Sequence, residues 1–203
     1  MLIKIHPILA VTITGFCLFI LSCREKPADA NQTTFTEADS VTEILLNLQD
    51  SILITWNLMT KDDNYKIKAM KGLLHELEVV NEIDPGEAKT FQKRIDQLIK
   101  IRYTPKTMEY ENVVEEYDFA SYSLVSELIA LSESTPSYAY NSTMQALVEQ
   151  IRTAEQRIEN YRATYDSIVN EYNSIITKNS QLLKESESIT SLKKKPLFQT
   201  AFE

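Results

Sequence analysis

The sequence predicts an all-α fold, an antiparallel bundle of about four helices, and three observations predict it. Glycine is nearly absent, with three in 203 residues. Gly15 lies in an N-terminal leader, which leaves Gly72 and Gly86 for the rest of the chain. Hairpin sheets, phosphate-cradling loops and dinucleotide folds need glycine at positive-φ turns, so those classes are excluded. The second observation is that apolar residues step by three and four along most of the chain, the spacing of one helix face. Thirdly, no strand-like alternation appears after the leader. A length of 203 residues with 43% apolar residues suits one domain with a sizeable core.

Residues 1–22 read as a secretory leader. Lys4 is their only charged side chain, and Ile8 to Leu21 is an almost unbroken apolar run. The run ends at Ile20-Leu21-Ser22-Cys23, an apolar-x-small-Cys lipobox in which Cys23 is the expected lipidation site. The alternative is an uncleaved anchor, because Ile5 to Ser22 spans 18 residues, just short of the roughly 20 that cross a bilayer. The chain has two cysteines. Cleavage would remove Cys17 and acylation would consume Cys23, leaving no thiol for catalysis, metal binding or a disulfide. The mature chain would carry 20 basic against 29 acidic residues, a net charge of −9. Such a surface has no electrostatic basis for nucleic-acid binding and is repelled by anionic lipid, so the acyl chains must anchor it. The expected location is the envelope of a bacterium, with the domain extracytoplasmic and on the periplasmic side.

Residues 23–38 hold one large apolar residue, Phe35, and read as a tether that cannot bury enough surface to offset its ordering entropy. The bundle is expected over 39–192 and a basic, aromatic tail over 193–203. Ser40-Val41-Thr42-Glu43 reads as a capping box opening the first helix. Val41, Leu45, Leu48, Ile52, Thr55 and Met59 form its stripe, with Trp56 beside it as a core anchor. Lys61-Asp62-Asp63-Asn64 is the expected break, Asp62 or Asp63 capping a second helix with Ile67, Met70, Leu74 and Leu77 inside. Asp84-Pro85-Gly86 is expected to end that helix. Ala88, Phe91, Ile95 and Leu98 start a third stretch, interrupted at Pro105. It resumes with Tyr110, Val114, Tyr117, Ser121, Leu124, Leu128 and Leu131, until Ser134-Thr135-Pro136 stops it.

The last helix, capped by Asn141 or Ser142, carries the strongest pattern. Met144, Leu147, Ile151, Ala154, Ile158, Tyr161, Tyr165, Ile168, Tyr172, Ile175, Asn179 and Leu182 alternate steps of three and four, a coiled-coil seam. No Gly or Pro falls between Pro136 and Pro196, so a helix of about 45 residues and about 70 Å is expected, with three shorter stretches packed on it.

On this helix Thr153-Ala154-Glu155-Gln156-Arg157-Ile158, then Tyr161-Arg162, Tyr165, Val169 and Glu171-Tyr172-Asn173, resemble the C-terminal signature of the LemA family. Leu124 to Leu131 with the Pro136 turn is similar to the family's preceding helix. Ile54-Thr55-Trp56-Asn57 is similar to its first-helix Ala-Trp-Asn, and Lys195-Pro196-Leu197-Phe198 through Phe202-Glu203 to its terminal segment. The chain departs from the pattern at Lys61 to Lys68, at Tyr165-Asp166 and at Lys178-Asn179. The resemblance implies a membrane-attached, extracytoplasmic helical bundle with no enzymatic activity ascribed to it, one that organises envelope proteins.

Glu155, Arg157 and Arg162 flank the seam and are the candidate partner-binding residues. The plainer reading is ion pairing on a solvated face, including a Glu159–Arg162 pair. Tyr161, Tyr165 and Tyr172 suit either an aromatic core or a ligand groove. His75-Glu76-Leu77-Glu78 fails metalloprotease spacing, because Val79 stands where the second histidine is required. With two histidines in all, no metal site is expected. Asn31 and Asn141 match the glycan acceptor pattern, and Asn141 is read as a helix cap. Lys193-Lys194-Lys195 reads as a solvated basic run ending a helix, or as a contact to lipid headgroups. No nucleophile has a base beside it, so neither enzymatic activity nor a cofactor is expected. The expected partners are the membrane, through the lipid, and an envelope or membrane protein, with a second copy of the chain as a further candidate. The competing expectation is a periplasmic binding module for a small hydrophobic or peptide ligand in the bundle core. An exposed apolar strip would favour the first reading and an internal cavity of several hundred Å³ the second.

Overall fold

The computed structural model describes residues 36–110, 112–185 and 192–198. The chain divides into two units, 1–36 and 37–203. The leader, Cys23 and nearly all of the tether fall in the first and lie outside the described residues.

The second unit holds α1 (Glu37–Val79), α2 (Pro85–Lys100), α3 (Val113–Ser134), α4 (Ser142–Lys178) and a short α5 (Ser180–Glu185). Two 3₁₀ turns, Thr107–Glu109 and Pro136–Ala139, precede α3 and α4. Tertiary pairs give the directions. Gln49 meets Tyr172, Asp62 meets Arg157 and Gly72 meets Leu147, so α1 and α4 run antiparallel. Lys71–Asp96 and Asn64–Arg102 set α2 antiparallel to α1. Asp63–Tyr117 and Lys66–Ser121 set α3 parallel to α1. Most inter-helix contact lies between α1 and α4, while α3 barely touches α4.

Several boundaries differ from the sequence reading. α1 begins at Glu37, so Ser40 lies inside the helix and opens nothing. It then runs 43 residues, about 65 Å, straight through Lys61–Asn64. Asp62 and Asp63 do not cap a helix. They are buried and ion-paired, Asp62 to Arg157 of α4 and Asp63 to Arg102 of the loop after α2, and those tertiary bonds override their poor helix propensity. The long helix expected to be alone therefore has a longer partner.

α1 ends at Val79 and is closed by a turn at Asn81, ahead of Asp84. Asn81 sits at φ 55°, its N–H bonds Glu78 O at 3.1 Å, and the Glu82 N–H bonds Leu77 O at 3.0 Å. This is a Schellman ending with asparagine in the left-handed position usual for glycine. Asp84-Pro85 instead opens α2, the Asp84 carboxylate accepting from the N–H of Gly86 (2.8 Å) and Glu87 (3.2 Å), with Pro85 first in the helix.

α2 ends at Lys100, before Pro105, and Tyr110 falls outside α3 and is exposed. α4 is capped by Asn141, whose Oδ1 accepts from the Met144 N–H at 3.0 Å. It runs 37 residues, not 45. Asn179 turns its Nδ2 onto Ile175 O (2.9 Å) and separates α4 from α5. Met144, Ile151, Ala154, Ile158, Tyr165 and Tyr172 of the expected seam are buried, and Val148 and Val169 join them. The basic run Lys193–Lys195 is itself non-helical, part of a segment, residues 192–198, that lies against α4. His75 is exposed.

Candidate functional site

The middle of the bundle is crossed by a belt of charge that no apolar stripe announces. Asp62, Asp63 and Lys66 project from one stretch of α1 and are each at least 94% buried. The Asp63 carboxylate accepts from the Tyr117 hydroxyl at 2.7 Å, pairs with Arg102 Nη2 at 2.7 Å and lies 3.4 Å from Lys66 Nζ. Lys66 Nζ also donates to Ser121 Oγ at 2.7 Å. Asp63 thus ties α1, α3 and the loop after α2 together. Burial without such partners would cost several kcal/mol per charge, so the belt is stable only as a set.

Each of the three candidate residues from the sequence has a definite place, and they do not form one patch. At about 100° per residue, Glu155 and Arg162 share a side of α4, while Arg157 lies roughly 140–160° away. Arg157 holds Asp62 through two bonds, 2.9 and 3.1 Å. Arg162 pairs with Asp118 of α3 through two bonds, 2.7 and 2.6 Å, and donates to the Tyr103 hydroxyl at 2.6 Å. Its partner is not Glu159. Burial pushes the Tyr103 phenol up to about 12, keeping its proton on at neutral pH. Glu155 is half-buried, and desolvation raises its carboxyl above the ordinary range against the counter-pull of Lys66.

Glu155 and Arg162 border an open groove of about 650 Å³ between α3 and α4, with Lys66, Ser121 and Asp118 also on its walls. Arg157 borders a different groove, about 500 Å³, between α1 and α4, with Tyr65, Ala146, Glu149, Gln150 and Thr153. Among the described residues no group of histidine, cysteine and carboxylates could hold a metal ion.

α1, whose Tyr65 lines that second groove, carries a feature that the sequence reading missed. Ile44, Ile54, Leu58 and Tyr65 are 47%, 60%, 39% and 51% exposed. Ile44, Leu58 and Tyr65 fall at heptad intervals and Ile54 four residues before Leu58. At about 100° per residue the four spread over about 80° on one flank of the core stripe of α1, and Leu46 and Leu53, 54% and 57% exposed, lie on its other flank. A second seam with period 3.5 was therefore legible, but the stronger inward stripe of Leu45, Ile52 and Met59 hid it. Apolar side chains aligned in this way on a surface mark an interaction face more than scattered exposed ones do.

The sequence profile of the LemA family matches residues 67–203, a family that is membrane-associated. Neither a curated protein nor a solved structure matches the chain significantly. Among the described residues no helix is long and apolar enough to cross a membrane.

Proposed function

The chain belongs to the LemA family, and from that premise we propose that it is a non-catalytic, lipid-anchored adaptor of the bacterial cell envelope. It docks an envelope or membrane protein on the outer face of α1. The observation that carries this reading is the exposed seam of Ile44, Ile54, Leu58 and Tyr65, whose Tyr65 end borders the α1–α4 groove with Arg157 and Glu149 on its walls. An apolar line with polar flanks is the surface that a partner helix needs: the line supplies burial and the flanks select the register.

The alternative, a ligand carried inside the bundle, has less support. The grooves of about 450–650 Å³ are open to solvent. At the tyrosine-rich end the rings of Trp56, Tyr103, Tyr165 and Phe198 fill the space, with centroids 5.2–6.1 Å apart.

Anchoring is assigned to Cys23. Cys23→Ser should abolish fatty-acid labelling and release the protein from, or stall it at, the membrane. Labelling of the variant would remove the lipid anchor from the account. Docking is tested by Ile54→Asp combined with Leu58→Asp. Both sites are solvated, so thermal stability should change by less than about 0.5 kcal/mol, while partner retention on a tagged full-length chain should fall at least tenfold. Unchanged retention would remove α1 as the docking face.

A further inference from the structure

Residues 192–198 are bound to α4 as a peptide is bound in a cleft. The Asn173 carboxamide holds the backbone of one residue at both its polar groups, Nδ2 donating to Lys195 O and Oδ1 accepting from the Lys195 N–H, each at 2.9 Å. Two turns earlier, Asp166 Oδ1 accepts from the Phe198 N–H at 2.8 Å. Seven helical residues advance about 10.5 Å, and three extended residues about 10 Å. The two clamps are therefore in register with an extended chain running antiparallel to α4. A carboxamide matching N–H and C=O of one residue reads backbone, whatever the side chain. Side chains supply the selection. The Phe198 ring stacks on Trp56 (6.1 Å, 14° between planes), meets Tyr165 and Tyr103 edge-on, and has the Arg162 guanidinium 5.0 Å from its centre. Lys195 Nζ lies 5.3 Å over the Tyr172 ring. Pro196 between them removes a donor that the cleft does not need and holds the segment extended.

We propose that this cleft is a recognition site for an extended Lys-Pro-x-Phe segment, filled in cis by the chain's own tail and able to take in trans the tail of a second copy. Backbone clamps, an aromatic box and a cation site are the parts of a peptide-binding groove, and the tail is the sequence known to fit them. Tethering gives the cis tail an effective concentration of the order of millimolar, so the trans state requires the cis contact to be weakened or both copies to exchange tails. The inference does not depend on the α1 seam.

The test uses full-length chains. Phe198→Ala leaves the cleft intact and spoils the tail, whereas Asn173→Ala spoils the cleft and leaves the tail intact. Mixed, the two variants should form a heterodimer in analytical ultracentrifugation, while each alone stays monomeric. A labelled peptide of residues 192–198 should bind the Phe198→Ala chain at least tenfold more tightly than wild type. Trp56, the only tryptophan, reports occupancy by its emission. A mixture that stays monomeric, or peptide binding equal in both chains, overturns the proposal. Should Phe198→Ala fail to fold, native-state hydrogen exchange on the wild type decides. If the Lys195 and Phe198 amides open at lower free energy than Tyr165, the tail is a separable ligand. Opening only with the whole bundle makes it core and overturns the proposal.

Discussion

Asp63 and Asp62 are neighbours in sequence, equally buried, yet losing their carboxylates should have different consequences. Asp63→Ala strips a partner from Lys66 and Arg102, whose side chains are 5% and 23% exposed. The uncompensated buried charge should cost about 3 kcal/mol in urea unfolding. Asp62→Ala frees only Arg157, 48% exposed, which water can solvate, and should cost about 1 kcal/mol. Equal losses would contradict the belt as described. Glu155 supplies a test in pH. Its folded carboxyl titrates above its ordinary value of 4.5 because burial disfavours the charge. Wild type therefore loses this contribution as pH rises through the raised value. Glu155→Gln should be the more stable protein at pH 7–8, and the difference should close below about pH 4.5. A variant less stable at pH 7 would mean that the attraction to Lys66 dominates. The positions of Glu155, Arg157 and Arg162 beside the seam were legible from spacing. Their partners were not, because Asp118 and Tyr103 lie 44 and 59 residues from Arg162 and Asp62 lies 95 from Arg157. A single sequence carries no mark of such contacts.

Helix boundaries divide along the same physical line. Where a start is set locally it could be read, as at Asn141, whose side chain caps its own helix. Asp84 also caps locally but was read as a stop, because a proline-glycine pair signals a turn whichever helix it serves. Asp84→Ala should lower stability by about 1 kcal/mol in thermal or urea unfolding. No change would mean that Pro85 alone fixes the start of α2. The continuity of α1 through Lys61–Asn64 was illegible because only tertiary ion pairs make it favourable. Gly72 adds a constraint on the α1–α4 pair: a β-carbon there would sit 3.1 Å from Leu147 Cδ2. An alanine there would require the Leu147 side chain to give by a few tenths of an ångström.

For the molecule as a whole, composition and periodicity were enough for the all-α class and for the α4 core face, since both rest on counts and spacing. The pairing of two long antiparallel helices with α2 and α3 on one side follows from contacts, not spacing. That arrangement buries the inward stripe of α1 and leaves the seam on its flank in solvent. The proposed adaptor role rests on that seam being a docking face. The most direct measurement places a photo-crosslinking amino acid at Leu58 of the full-length, lipidated protein in its host, with Thr164, exposed on α4, as the control position. The account predicts a discrete adduct to one envelope or membrane protein from Leu58, absent from Thr164 and lost with Ile54→Asp. Adducts at Leu58 no stronger than those at Thr164 would contradict it.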